Sequence, residues 1–223
     1  MEKGNTKREI LETALDLFST RGFEATSVSQ IAEAVGIRKA SLYSHFACKQ
    51  EILDALIQNV FEQYEKHSIF AGADWDDPDF TKDKQRLTAD AVLQTVLGHV
   101  RYLLHDERIS KSRKMLTLEQ FQNPKLAALQ TKQNYTDVMR YFTGLMRFLI
   151  GRGKLKVHDA QVMAAQFCLP ISVWIGLCDR EPEREGEVMA LIERHVRQFF
   201  MLYGVGNPNG EGTLHEIVDA SLK

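Results

Sequence analysis

The sequence predicts an all-α protein, and three observations carry that reading. Apolar residues recur at helical spacing in one segment after another between Ile10 and Tyr203, and clusters of Gly, Pro, Asn and Asp separate the segments. Residues 26–46, TSVSQIAEAVGIRKASLYSHF, carry the start and stop signals of two short helices joined by a tight turn. The length of 223 residues, with 44% hydrophobic and 26% charged residues, suits one or two packed domains and argues against long disorder.

Residues 1–8, MEKGNTKR, read as a polar N-terminal arm. Ile10, Ala14, Leu17 and Phe18 then form one face of an amphipathic first helix closed by Arg21-Gly22. Ser27 followed three residues later by Gln30 is a capping-box start, and Val28, Ile31 and Ala32 share the inner face of the second helix. Gly36 can take the left-handed conformation that ends this helix, and a third helix restarts near Arg38. On that third helix Leu42 and Phe46 stack inward, leaving Ala40, Ser41, Tyr43 and Ser44 outward beside Lys39. A helix with small polar residues outward can approach base edges in a major groove, with Tyr43 and Lys49 beside the phosphates.

From Lys49 to about Phe70, Ile52, Leu53, Leu56, Val60, Phe61 and Tyr64 mark one long connecting helix. Its first turn lies at the recognition unit and its last inside whatever follows, so it can act as a lever. Residues 71–86, AGADWDDPDFTKDKQR, read as a loop and domain boundary. Their aspartates lack the spacing of a calcium loop, so solvated loop residues are expected there rather than a metal site. Leu87, Val92, Leu93, Val96, Leu97, Val100, Leu103 and Leu104 mark the next helix, followed by a basic patch, Lys111, Arg113 and Lys114, read as a solvated face. Met115, Leu116, Leu118 and Phe121 extend a helix toward Asn123-Pro124. Tyr135, Met139, Phe142, Met146 and Leu149, flanked by Val138, Tyr141, Leu145 and Phe148, give a helix apolar over so wide an arc that others must wrap it. Gly151-Arg152-Gly153-Lys154 is a turn; it lacks the spacing of a phosphate-binding loop. Two apolar helices complete the pattern over 159–178, with a kink expected at Pro170, and over 186–203. Both carry more apolar residues than one core-facing stripe requires, which points to a four-helix interface between two copies.

The formal net charge of −2 excludes a uniform basic coat, so any nucleic-acid contact must be local. Basic residues gather at Lys3, Lys7, Arg8, Arg38, Lys39 and Lys49. Cys48, Cys168 and Cys178 follow no metal spacing and cannot all pair, which suits a reducing cytoplasm. The polar N-terminus does not read as a signal peptide, and no stretch is expected to span a membrane, since Pro170, Cys178 and Asp179 break the longest candidate. Seven histidines form no HExxH pair, and no nucleophile elbow or Gly-rich fingerprint is present, so neither catalysis, a metal nor a cofactor is expected.

The run from Ile10 through ALDLFSTRGFEATSVSQIAEAVGIRKASLYSHF to Lys49, Glu51 and Leu53 resembles the N-terminal domain of the tetracycline-repressor (TetR) family of transcriptional regulators. Its marks are Phe18, the Gly22-Phe23 turn, the Thr26-Ser27 cap, Ile31-Ala32, Gly36 and Leu42-Tyr43-x-x-Phe46. The resemblance implies that Ser27, Tyr43 and Lys49 hold phosphates while Lys39, Ser41, Ser44 and His45 face bases. Arg38 stands where a small capping residue is usual, adding a phosphate or base contact; Cys48 replaces the usual Ser or Asn cap and leaves the next helix weakly capped. The segment from Gly151 through Gly176-Leu177 resembles the same family's C-terminal half more weakly.

This organisation implies a helix-turn-helix DNA-binding domain over 1–48, a connecting helix over 49–70, a helical ligand-binding and dimerisation domain over 71–203, and a C-terminal tail over 204–223. The implied protein is a homodimeric repressor on a palindromic double-stranded operator, released by an apolar or amphipathic small molecule. Phe121, Tyr135, Met139, Phe142, Phe167 and Trp174 are the expected pocket wall, with His99, Gln120, Asn134 or Gln166 orienting a ligand. The alternative is a DNA-binding protein whose second domain meets a protein partner, for which a core without room would speak.

Overall fold

The structure, a computed structural model, describes residues 3–206. The helices are α1 (Lys3–Arg21), α2 (Val28–Val35), α3 (Lys39–Tyr43), α4 (Lys49–His67), α5 (Pro78–Lys82), α6 (Ala89–His105), α7 (Glu107–Glu119), α8 (Pro124–Thr131), α9 (Asp137–Gly151), α10 (Ala160–Arg180) and α11 (Glu185–Tyr203). A π-helical turn, Lys132–Thr136, joins α8 to α9, and short 3-10 turns follow α5 and precede α11. Among the described residues the single β-bridge pairs Leu155 with Gly204, so the chain is all-α. Most of the expected tail, residues 207–223, lies outside the described residues.

Two apolar cores organise these helices. In the first, Ile10, Ala14 and Phe18 of α1 meet Ile31 and Ala32 of α2, Leu42 of α3, Phe46, and Ile52, Leu53 and Leu56 of α4. Met115 and Leu116 of α7 and Leu126 and Leu129 of α8 belong to this same core. The apolar packing therefore runs past the boundary drawn from the sequence. In the second core, α9 and α10 pair most extensively, and α6 and α11 close around them. Phe167 lies at its centre, against Phe142, Phe199 and Phe200 at ring-centroid distances of 5.1, 4.9 and 6.4 Å.

Several expectations are corrected. Residues 3–8 are the first turns of α1 rather than an arm, and Thr6 is buried. Residues 71–86 are not a plain solvated loop, because Trp75 packs on the second core and Pro78–Lys82 forms α5. Their aspartates do local work: Asp74 and Asp77 carboxylates accept the backbone N–H groups of Asp76 and Asp79 at 3.0 and 2.9 Å. Trp75 can lie flat on α9 only because position 144 is glycine, where a Cβ would overlap the indole. The basic patch is not a solvated face either. Arg113 forms a two-pronged bond to Asp179 of α10, its Nε donating at 2.9 Å, and also donates to the Leu103 carbonyl at 2.6 Å; Lys111 bridges to Asp16 of α1.

α10 runs unbroken through Pro170 and, among the described residues, is the one helix with the length and composition of a membrane span. That corrects the expectation that no stretch comes close. The fold uses it as a core helix, with Met163, Ala164, Phe167, Cys168, Ile171, Ile175 and Cys178 buried.

Candidate nucleic-acid interface and internal cavity

The local rules at residues 22–49 produce a rigid unit. Ser27 Oγ accepts the Gln30 N–H at 3.2 Å while Gln30 Oε1 accepts the Ser27 N–H at 2.7 Å, closing the capping box. Gly36 takes φ 77°, and the N–H groups of Gly36 and Ile37 satisfy the carbonyls of Glu33 and Ala32 at 3.0 and 2.9 Å. The Cys48 side chain makes no cap, as its residue type suggested; instead Glu51 Oε2 reaches back to the Ala47 N–H at 2.5 Å. Arg38 stands at the N-cap of α3, also without a side-chain cap.

With Leu42 and Phe46 sealed in the core, Arg38, Lys39, Ala40, Ser41, Tyr43 and Ser44 are exposed on one side and His45 is half-buried. The Ser44 hydroxyl donates to the Ser41 carbonyl at 2.7 Å, which leaves its oxygen lone pairs outward as acceptors. Ser27 accepts in its cap, so its own O–H is free to donate. Lys39 Nζ lies 6.0 Å from the Tyr43 ring centroid. Lys49 is different in kind: its ammonium donates to the Phe23 carbonyl at 2.7 Å and sits 4.0 Å from the Phe23 ring centroid. It fastens the start of α4 to the turn after α1 and keeps two N–H donors for another partner.

Phe23 is held from the other side as well. Its N–H donates to Glu119 Oε1 at 2.7 Å, and Glu119, the last residue of α7, is buried. A charge-assisted bond to a buried carboxylate is stronger than a neutral one, so α7 is pinned to the helix-turn-helix unit at Glu119 and again at Lys111–Asp16. Nothing in the sequence around Glu119 singles it out. Its partner lies 96 residues away.

A partly open cavity of about 550 Å³ lies between α4, α6, α7, the π-helical turn, α9 and α10. Val92, Val96, Val100, Val138, Leu145 and Ile171 make much of its wall, with aromatic faces from Phe70, Trp75, Tyr141 and Phe142. α4 contributes Val60, Gln63 and Tyr64, and α7 contributes Ile109, Ser112 and Arg113. The two helices that reach the recognition unit therefore both wall the cavity. At the α4 end, the Tyr64 hydroxyl donates to the buried Asp137 carboxylate at 3.0 Å, which also holds Lys132 and Arg140. This tie raises the Tyr64 hydroxyl's pKa, with burial the larger cause.

Of the six side chains expected to wall a pocket, Phe142 does so. Phe121 is corrected to the surface, 87% exposed, because α7 ends at Glu119 and residue 121 falls in the turn before the Asn123 cap of α8. Tyr135 is likewise exposed, because the π-helical turn rotates it away from α9's inner face. Met139 and Phe167 are core residues beyond the wall, and Trp174 packs edge-on against His195 at 5.3 Å. His99 and Asn134 do line the cavity. Gln120 instead donates to the Thr117 carbonyl, and Gln166 accepts from the Tyr203 hydroxyl. The wall residues missed by sequence reasoning include Trp75, Gln130 and Gln133. A usable signal was the aromatic spacing of Phe70, Trp75 and Phe80 in an otherwise polar stretch.

Burial lowers the His99 imidazole from 6.5 to about 4, so it is neutral at pH 7. In the unfolded chain it gains a proton as pH falls through 6.5, whereas in the fold it does so only near 4. Its contribution to stability is therefore complete above 6.5 and is lost between 6.5 and about 4. A shift of this size at about 1.4 kcal/mol per unit, reduced for partial solvent access, amounts to about 2–3 kcal/mol. Urea unfolding of the natural chain and a His99→Leu variant at pH 7.5 and pH 4 should show the natural chain losing that much more.

A three-helix unit with a capped second helix, a glycine turn and a third helix exposing short polar side chains is the geometry of helix-turn-helix DNA-binding proteins. Residues 10–56 match the profile described as bacterial regulatory proteins, tetR family. The chain is 44% identical over 59 residues to the HTH-type transcriptional repressor KstR2 of Mycobacterium tuberculosis, a stretch covering 26% of this chain and 30% of that protein. It is 38% identical over 58 residues to the icaADBC biofilm-operon negative regulator IcaR of Staphylococcus epidermidis, covering 26% and 31%. The match thus spans about a third or less of these relatives. The whole fold is shared more widely. A TetR family transcriptional regulator from Pseudomonas syringae pv. tomato aligns over 92% of this chain and all of its own, with TM-score 0.60 and 17% identity. SmeT, repressor of the Stenotrophomonas maltophilia multidrug efflux pump SmeDEF, aligns over 93% and 95%, with TM-score 0.59 and 18% identity.

Proposed function

We propose that this protein is a homodimeric, sequence-specific transcriptional repressor of the bacterial cytoplasm that a small molecule releases from a palindromic operator. The observation that carries the DNA-binding part is the exposed side of α3 on its sealed, doubly capped support. In this reading α3 enters the major groove, Lys39, Ser41, Ser44 and His45 face bases, and Ser27, Arg38, Tyr43 and Lys49 meet phosphates. Residues 1–48 serve as the DNA-binding domain, 49–70 as the connecting helix, 71–203 as the ligand-binding and dimerisation domain, and 204–223 as a tail. Outward apolar residues on α10 and α11, among them Val162, Val173, Met201 and Leu202, each more than half exposed, supply a face for a second copy.

The cavity supports a small-molecule effector over a protein partner, because the interior has room. A ligand that favours the spacing unable to bind DNA shifts the population toward it, and α4 and α7 are the elements that carry the shift to α1–α3. SmeT has been solved as a complex with triclosan, and a transcriptional regulator from Saccharomonospora viridis with choline.

Fluorescence anisotropy of the dimer on operator and scrambled duplexes, across a salt series, tests the roles. Ser41→Ala or Ser44→Ala should narrow the preference for operator over scrambled DNA, by about 1 kcal/mol for a lost base contact. Lys49→Ala should weaken both duplexes alike and make the salt slope shallower by roughly one. A change of sequence preference with Lys49→Ala would contradict the assignment of bases to α3 and phosphates to α4.

A further inference from the structure

The cavity wall carries three buried polar atoms with no hydrogen-bond partner: the Trp75 indole Nε1, Gln130 Oε1 and Gln133 Nε2. Buried polar groups are almost always paired, so three unpaired ones around one cavity describe what its occupant must offer. Trp75 and Gln133 each present an N–H donor and therefore ask for an acceptor. Gln130 presents an acceptor and asks for a donor. Gln133 lies on the π-helical turn and Gln130 on the last turn of α8, three residues apart, so both amides belong to one side of the cavity. A π-helical turn that displaces side chains in this way recurs at functional sites.

Most charged groups of the wall are, by contrast, already engaged by the protein. Arg113 and Asp179 neutralise each other in a bond shielded from solvent. Asp106 caps α7 by accepting the Ile109 N–H at 2.9 Å. Lys84 donates to the Phe80 carbonyl at 2.6 Å and lies 3.6 Å from the Phe80 ring centroid. Arg108 is exposed. A cationic ligand would lose its hydration with no carboxylate left free of a helix cap or ion pair, and an anionic one would have to draw Lys84, which has no carboxylate partner, away from the Phe80 carbonyl and ring, a cost in either case. A neutral one would meet valine, leucine, isoleucine and aromatic faces in a space of ordinary small-molecule size.

We propose that the cavity takes an uncharged, mainly apolar small molecule bearing one amide-like group, whose oxygen accepts from Gln133 and Trp75 and whose N–H donates to Gln130. The inference rests on the reading of the cavity as an effector site and specifies its ligand chemistry.

The test uses the full-length dimer carrying Trp174→Phe, which leaves Trp75 as the sole tryptophan and so a reporter inside the cavity. Trp75 fluorescence is titrated with four compounds of one chain length: decanamide, 2-undecanone, decanoate and decylammonium. Decanamide should bind roughly ten-fold tighter than 2-undecanone, which replaces the amide NH₂ by a methyl group and loses the donor to Gln130. It should exceed both ions by at least as much. Gln130→Leu should erase the margin of decanamide over 2-undecanone, and Gln133→Met should weaken both while leaving the thermal midpoint nearly unchanged. Equal or tighter binding of decanoate or decylammonium, an amide margin that survives Gln130→Leu, or no binding by any of the four would overturn the proposal. Operator anisotropy in the same titrations separates the two readings. Decanamide bound in the cavity with DNA still held would refute the effector reading alone, and an ion that binds and releases DNA would refute the ligand class alone.

Discussion

Truncating Phe167 to alanine is expected to lower the unfolding free energy by about 3–5 kcal/mol, the usual cost of removing a fully buried phenylalanine. The ring is fully enclosed and meets Phe142 of α9 and Phe199 and Phe200 of α11, while its own carbonyl lies 2.9 Å from His195 Nε2. It joins three helices at one point, so little of the void can close by collapse. Urea unfolding followed by circular dichroism checks the value, and Phe167→Leu should recover much of the loss. The helix-turn-helix core shares none of these residues, so its helices should be the last to lose native hydrogen exchange protection in the variant.

The second large effect is electrostatic. Asp137 is 2% exposed and its carboxylate holds the Tyr64 hydroxyl of α4, Lys132 of the π-helical turn and Arg140 one turn on. Asp137→Ala leaves the buried Tyr64 hydroxyl without its acceptor and removes the shared counter-charge of Lys132 and Arg140. Since both cations reach solvent, the expected loss is about 3–4 kcal/mol rather than the upper end for buried networks. Asp137→Asn, which keeps an acceptor for Tyr64, should lose about half as much. Because Tyr64 lies near the far end of the connecting helix, Asp137→Ala should also weaken operator binding without altering base preference. Equilibrium unfolding and anisotropy on the same preparations separate the two effects.

How far the sequence discloses this molecule depends on the range of the forces involved. Ser27, Gln30 and Gly36 act on backbone groups within a few residues of themselves, so the capping box and the glycine turn are legible and appear in the structure as expected. The inward pair Leu42 and Phe46 follows from helical periodicity, and so does the exposed side of α3. The cavity does not follow from local rules. Trp75 reaches it from a polar stretch because Gly144, far along the chain, leaves room, and the Gln130–Gln133 pair turns inward through a π-helical turn that no 3.6-residue count anticipates. Phe121 shows the opposite error. A periodic count carried past Glu119 places it inward, although the Asn123-Pro124 start signal already announces a new helix and hence a turn at 121. Glu119 and Arg113 were illegible for a simpler reason, since each is defined by a partner 96 or 66 residues away.

The most direct test of the central claim is anisotropy of the protein on the duplex immediately upstream of its own gene and on a scrambled duplex of equal composition, at a stated near-physiological salt concentration. The account predicts operator binding at least about a thousand-fold tighter than scrambled binding, a margin reduced by Lys39→Ala and Ser41→Ala together. Equal affinity for the two duplexes, or a margin indifferent to those substitutions on α3, would contradict it.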